Sequence, residues 1–421
     1  MLDELSITQR DEINRLSLQL RAAYYNTHMN NTDAYSEPYG GKMTESIGAW
    51  PEFIFKGTFC KRSWRGLCSP CFYSRFPLSK INRSDYLNMV KKQALYVIDN
   101  FEKLVIKRQY EQASDFNPSV SLVLTPTGSF FDEFEFPIDI RLEMEQALVD
   151  IVNTKHIDIN LHIESHCEDI IVYDSTNAKC KKEIELMKRL KTKIIFGFES
   201  VNEYARNILY NKNLSLTDFE SAVNKVKSID LDSGAFVFAG LFAYNDLQTH
   251  DDVISTVKYL INKSVFPVIM FQNAQSYTIT DVLLKNKKIT LIEPLTVSRI
   301  VCDILKLFEQ NPSYWLIADP VGGPPEPDYH IFREAKITCK SCSDFIYEML
   351  NNLRKTRDIN AFICNYEKIK QCSCYEKYTK YIELLSNNFE SIQANTNMLL
   401  QECSQSITLY FTAIGGKNEA V

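Results

Sequence analysis

A chain of 421 residues with 45% apolar and 24% charged side chains suits one large globular domain with extensions. Its net charge of −6 excludes the broad basic footprint of a general nucleic-acid binder, leaving room only for a local basic patch. No apolar run reaches the roughly 18 residues of a membrane span.

The first twenty residues, MLDELSITQRDEINRLSLQL, are charged throughout and do not read as a secretory signal. The 12 cysteines are therefore expected in a reducing cytoplasm, where clustered thiols bind metal or do redox chemistry more often than they form disulfides. Residues 4–24 have the spacing of an amphipathic helix, and the polar segment 26–41 reads as a loop.

From about residue 50 short β-rich runs alternate with helical ones. The predicted strands are FIFKG (53–57), VSLVLTP (120–126), DINLHIE (158–164), KIIFGFE (193–199), GAFVFAG (234–240) and PVIMFQN (267–273). Helical periodicity fills the intervals, and Ser215 with Asp218 three residues on predicts a helix start. Apolar strands each followed by a helix imply a parallel sheet with both faces covered. Six such units fit an α/β partial (β/α)6 barrel better than a closed eight-fold one. Three regions follow: an N-terminal helical extension (1–49), the partial barrel (50–292) and a C-terminal helical region with its own cysteines (293–421). Within the last, ADPVGGPPEPDY reads as a turn-rich loop.

Cys60, Cys68 and Cys71, spaced C-x7-C-x2-C, follow the first barrel strand. Chemistry in such folds sits at the C-terminal ends of the strands. No fourth cysteine or nearby histidine completes a tetrahedron, so a closed zinc site would need a distant ligand. Three thiolates suit an iron–sulfur cluster with one iron left open to a chelating small molecule. Buried structural thiols are the bland alternative.

With these residues in place the sequence resembles the radical S-adenosylmethionine (SAM) superfamily. The C-x7-C spacing is similar to the elongator-type branch, above all to the radical SAM subunit family of archaeosine synthase, a tRNA-modifying enzyme. TGSFFDEFEFP (127–137), LHIESHCEDI (161–170), GFESVNEYARNILYNKNLSLTDFESAV (197–223), CKSCSD (339–344) and CSC (372–374) resemble that family's motifs in order. Three departures put a tRNA substrate in question. YHIFREAKIT stands where family members carry a basic Gly-Pro-His-Asn stretch, Asn211-Lys212-Asn213 replaces Asn-Lys-Gly, and Ser165-His166 replaces Thr-Arg-Pro.

The resemblance implies that Cys60, Cys68 and Cys71 bind a [4Fe–4S] cluster whose fourth iron is chelated by SAM. Reductive cleavage of SAM then yields a 5′-deoxyadenosyl radical that abstracts hydrogen from substrate. It places Gly128, Ser129, Glu164, Glu199 and Lys212 around SAM and Phe72 near the adenine. Taken alone, each has a plainer reading: an ordinary turn, salt-bridged core acids, a solvated lysine and a packing aromatic. Asp132 and Glu135 read equally as helix-start acids. His162 shares a strand face with Glu164, and His166 and Cys167 flank the same strand end. Arg62 and Arg65, in the cysteine loop, read as solvated or as contacts for an anionic substrate.

Cys339, Cys342, Cys372 and Cys374 make two close thiol pairs, a complete set for Zn2+ or for an auxiliary cluster, with Cys364 as a spare. Cys167, Cys180, Cys302 and Cys403 read as packing residues. The leading functional expectation is a radical SAM enzyme acting on a small metabolite or biosynthetic intermediate, reduced by a flavodoxin or ferredoxin. The alternatives are a tRNA-modifying lyase or transferase and a zinc-stabilised interaction protein with no activity.

Overall fold

The computed structural model describes residues 3–28, 42–44, 52–55, 60–71, 83–101, 119–126, 128–272, 274–309, 335–387 and 391–415. Among these residues seven strands form one sheet whose spatial order is the chain order. They are β1 (Lys42–Thr44), β2 (Glu52–Phe55), β3 (Ser119–Pro126), β4 (Asp158–Ser165), β5 (Lys193–Glu199), β6 (Asp232–Ala239) and β7 (Phe266–Phe271). From β2 to β7 every neighbouring pair is parallel. The short β1 is antiparallel to β2 at one edge, and sequence periodicity had not marked it. Six parallel strands wound in one direction, with an open edge, make the partial barrel that the alternation predicts.

Helices fill the crossovers: α3 (Arg83–Phe101), α4 (Ile138–Lys155), α6 (Ala178–Arg189), α7 (Leu216–Ser228) and α8 (Asp246–Asn262), while α2 (Lys61–Trp64) and α5 (Cys167–Ile171) are short turns after strands. Their starts are written in the sequence. The Ser215 hydroxyl accepts the Asp218 N–H at 3.0 Å, and Asn245 with Gln248 forms a reciprocal cap.

Alternate strand residues divide the sheet into two unlike faces. One face packs against the helices: Leu122, Leu124, Leu161, Ile163, Phe196, Phe198, Val237 and Ala239 are fully buried there. Phe198 stacks on Phe219 of α7 with ring centroids 4.1 Å apart. The other face is concave and only half-covered. Register places Val123, His162 and Lys193 in one row, Glu164, Ile195, Gly234 and Phe266 in the next, then Gly197, Phe236 and Val268. Ile195, Phe266 and Val268 form a separate small apolar cluster there, joined by Phe236 and Met270. His162 is buried on this face, and burial, helped by the Lys193 charge, pushes its pKa down to about 3. It is a neutral lining residue at physiological pH.

The N-terminal helix α1 (Glu4–His28) and the last helix α14 (Ile392–Gly415) pair outside the barrel: Gln9 Nε2 donates to Gln393 O at 2.7 Å and to Asn397 Oδ1 at 2.8 Å. After β7 come α9 (Ile279–Lys285), α10 (Pro294–Glu309), α11 (Lys340–Thr356), α12 (Ile359–Ile369) and α13 (Ser373–Asn387). The buried Asp246 at the start of α8 accepts from Glu293 N–H (2.8 Å), Thr296 Oγ1 and Tyr381 OH (3.0 Å). One carboxylate thus ties α8, α10 and α13 together. The turn-rich loop expected at 318–329 lies outside the described residues. Among them, no helix is long and apolar enough to cross a membrane.

Candidate active site

The cysteine loop lies beyond the C-terminal end of β2, the end at which these folds place their chemistry. Cys60 (7% exposed) and Cys68 (6%) are buried, and Cys71 is half-buried. The loop is fastened to the segment that follows β5. Cys68 N–H donates to Asn211 O at 3.0 Å, Ser69 N–H to Tyr210 O at 2.9 Å and Ser69 Oγ to Leu209 O at 2.6 Å. Asn211 returns a bond from Nδ2 to Gly66 O at 3.0 Å. These bonds require the chain to reverse sharply, and Cys68, Asn211 and Gly66 all take positive φ. At Gly66 a side chain would collide with Asn14, so glycine is needed for space as well as conformation.

The same segment delivers Lys212. Its Nζ lies 2.9 Å from Glu199 Oε1 at the end of β5, and the two side chains are 10% and 5% exposed. A bulge between Gly197 and Glu199 turns the acid, at φ 73°, onto the lysine. Gly197 leaves the room, since a Cβ there would overlap the Lys212 ammonium. Burial works against the Lys212 charge, but Cys68 and Glu199 outweigh it and hold the ammonium above its ordinary value. The reading of Lys212 as a solvated lysine is therefore corrected.

Beyond β3, Gly128 and Ser129 sit above Glu135, which is fully buried. Glu135 Oε2 accepts the Ser129 N–H at 2.9 Å, and a Cβ on Gly128 would strike the same carboxylate. Burial raises the Glu135 pKa well above the usual range. Glu135 is thus a packed floor for this turn and not a helix-start acid. Ser129 Oγ lies 3.0 Å from Ser165 Oγ and accepts from His166 N–H at 3.1 Å. Glu164, half-buried on the concave face, accepts from Thr125 Oγ1 at 3.3 Å.

Three ion pairs join the cysteine loop to the β3 and β4 ends. Lys61 Nζ bridges Asp132 (3.0 Å) and Asp169 (2.5 Å). Arg62 pairs with Glu168 at 2.5 Å and donates to Lys212 O. Arg62 is buried, which corrects its reading as a solvated cation, whereas Arg65 is exposed. His166 Nε2 stands 3.9 Å from Cys60 Sγ, and its Nδ1 is 3.5 Å from Asp169. Cys167 is buried, and burial pushes its thiol up to about 12. Phe72 lies outside the described residues.

Sequence reasoning missed Arg21. It is buried on α1, and its guanidinium donates to Leu67 O (2.8 Å), Cys68 O (3.1 Å) and Cys71 O (3.3 Å). A signal existed: Gln9, Ser17 and Arg21 share the buried stripe of Ile13, Leu16 and Leu20, and polar groups on such a stripe need partners.

The two cysteine sets differ in kind. Cys339, Cys342, Cys372 and Cys374 place all four sulfurs within 4.8 Å of one another, with Cys339 and Cys372 3.8 Å apart. Zn–S bonds of about 2.3 Å give a tetrahedral edge of about 3.8 Å, so this set can hold one metal ion. Cys364 is exposed and outside it. The set is preformed by Glu293, whose carboxylate accepts Lys336, Ile337 and Thr338 N–H at 2.9–3.1 Å just before Cys339. The Cys374 N–H and neighbouring thiols lower Cys372 to about 7. Among the described residues no other group of cysteines, histidines or acids lies within such a span. Cys60, Cys68 and Cys71 do not form such a group. Cys60 and Cys68 are buried, and the cations of Arg62 and Lys212 lie near Cys68.

No family model matches the sequence, and no curated protein sequence does. Solved structures that resemble it include the archaeal Methanocaldococcus infernus Elp3 with an N-terminal deletion, at 13% identity and TM-score 0.38, over 62% of this chain and 58% of that one. The radical SAM methyltransferase TsrM from Kitasatospora setae, with cobalamin and a [4Fe–4S] cluster bound, matches at 9% identity and TM-score 0.32, over 56% of this chain and 39% of that one. Methylornithine synthase (PylB) matches at 10% identity and TM-score 0.34, over 79% and 91%. The aligned part spans less than two thirds of Elp3 and TsrM.

Proposed function

We propose that the chain is a radical SAM enzyme acting on a small metabolite. One observation carries the reading: the buried cysteine turn is hydrogen-bonded to the same segment, Tyr210–Lys212, that sets a lysine–glutamate pair at the end of β5. A cation and an acid beside three thiols, at the reactive end of a half-barrel, suit a zwitterionic amino acid chelated to a cluster.

Cys60, Cys68 and Cys71 would hold a [4Fe–4S] cluster, and Gly128, Ser129, Glu164, Glu199, Lys212 and Phe72 would surround SAM. Bound together, these groups supply reductive SAM cleavage and hydrogen abstraction from substrate. The chain's own part is binding and exclusion. Lys212 has three N–H donors and gives one to Glu199, which leaves two for the methionine carboxylate. Glu199 and Glu164 accept from the SAM amine or ribose. Gly128 lets backbone approach closely. Ile195, Phe236, Val268 and Met270 present an apolar floor to the substrate, a surface that disfavours water at the reacting centre. The electron comes from a flavodoxin or ferredoxin. The four distal cysteines hold one Zn2+, a structural ion, because their sulfur separation matches one tetrahedron better than a cluster.

The net charge of −6 supports a small substrate over tRNA. The experiment is anaerobic reconstitution with iron and sulfide, then SAM and dithionite. The expected product is 5′-deoxyadenosine. Protein that binds SAM and a full iron complement but releases none overturns the reading. Salt-sensitive tRNA binding that raises turnover would move the substrate to tRNA.

A further inference from the structure

We propose that Arg21, on a helix outside the half-barrel, is a positioning residue of the cysteine loop, and that its fixed charge raises the reduction potential of the metallocentre held there. The proposal rests on the radical SAM reading and concerns a part of the chain that reading does not use.

The loop is gripped from two sides. From within the barrel, the backbone of Leu209–Asn211 holds Cys68 and Ser69. From without, α1 holds the other edge. With its side-chain amide turned so that the nitrogen faces the loop, the orientation its surroundings favour, Asn14 donates to Arg65 O (2.6 Å) and Gly66 O (3.3 Å). Arg21 gathers the carbonyls of Leu67, Cys68 and Cys71 around one guanidinium nitrogen. Two of those carbonyls belong to the thiol-bearing residues themselves, so this side chain braces both ends of the Cys68–Cys71 turn. The helix that carries Arg21 is anchored independently, through Gln9 to α14 and to Tyr204, whose hydroxyl donates to Gln9 Oε1 at 2.6 Å.

Arginine stays charged at any working pH, and its planar guanidinium brings that one nitrogen to the carbonyls in a fixed orientation. At 5% exposure that charge is largely withdrawn from water. A buried cation bonded to the carbonyls of thiol-bearing residues favours the state with one more negative charge, which for a cluster is the reduced state. The second effect is mechanical: a turn held in one conformation gives up bound metal less readily.

The test uses the full chain, reconstituted anaerobically, as wild type, Arg21→Lys and Arg21→Met. Iron per chain, the midpoint potential by EPR-monitored titration with dithionite, and iron release to a chelator are measured beside the melting temperature. Arg21→Met is expected to shift the potential negative and to speed iron release about tenfold to a hundredfold, as loss of outer hydrogen bonds does at other metal sites. Arg21→Lys should recover most of the potential and little of the retention, because it keeps the charge and loses the rigid, pre-oriented donor. Unchanged potential and release in Arg21→Met overturn the proposal. If Arg21→Met does not fold, Arg21→Lys decides: faster iron release at unchanged melting temperature supports it, and wild-type release overturns it. A wild-type protein that takes up no cluster would instead defeat the radical SAM reading itself.

Discussion

Lys212 Nζ and Glu199 Oε1 stand 2.9 Å apart in a nearly dry environment, and neither partner is interchangeable with a neutral residue on its own. Removing one member of a buried pair leaves the other charge uncompensated, which costs about 3–5 kcal/mol. Glu199→Gln and Lys212→Met should each lose stability on that scale in urea unfolding. The double variant should lose much less than the sum, since both charges are gone. Additive losses would show that the two side chains do not depend on each other. In reconstituted protein Lys212→Met should also weaken SAM binding while iron content is retained, because no thiol is altered.

Gly128 gives a sharper test of the β3 turn. A methyl group there meets the buried carboxylate of Glu135, which already accepts the Ser129 N–H. Gly128→Ala should cost about 1–3 kcal/mol, the usual penalty for overpacking. Most of that loss should disappear when Glu135 is also shortened, in Gly128→Ala/Glu135→Ala compared with Glu135→Ala. Equal costs in both backgrounds would mean the turn accommodates the methyl group elsewhere.

How much of this was readable beforehand follows from how local each feature is. Strand positions, the parallel winding, the Ser215 cap and the distal cysteine set depend on spacing within a few residues, and the structure follows them closely. What spacing conceals is pairing across the chain. Arg62 looks like a loop cation until Glu168 and Lys212, more than a hundred residues on, bury it. Glu135 looks like a helix-start acid until Gly128 and Ser129 close over it. β1 has three residues, too few for any period to show.

The distal thiols predict a metal dependence separate from that of the loop. Cys339→Ser or Cys372→Ser should release about one metal ion per chain and lower the melting temperature, because structural zinc contributes folding free energy directly. Elemental analysis of purified protein should find zinc there. Iron bound in its place would turn the site into an auxiliary cluster with a redox role. The loop cysteines should behave differently: Cys60→Ala, Cys68→Ala or Cys71→Ala should abolish SAM cleavage and leave the zinc in place.

The last prediction concerns a buried acid with no part in either site. Glu145 on α4 is fully buried, and among the described residues neither of its carboxylate oxygens has a hydrogen-bond partner. The nearby Arg141 is committed elsewhere, to Glu183 at 2.5 Å and Glu133 at 2.9 Å. Burial first, and then the charge of Glu183, push the Glu145 carboxyl well above its ordinary value of 4.5, against a smaller pull from Arg141. The folded chain therefore keeps a proton that the unfolded chain gives up. Its contribution to stability is complete below pH 4.5 and drains away as pH rises from there toward the folded value. Glu145→Met, close in length and free of charge, should be more stable than wild type at neutral pH. The advantage should be smallest near pH 4.5 and widen by up to about 1.4 kcal/mol per pH unit above it. Urea unfolding of both proteins between pH 5 and pH 8 measures the difference directly. A constant gap across that range would show that Glu145 ionises in the folded chain as readily as in the unfolded one.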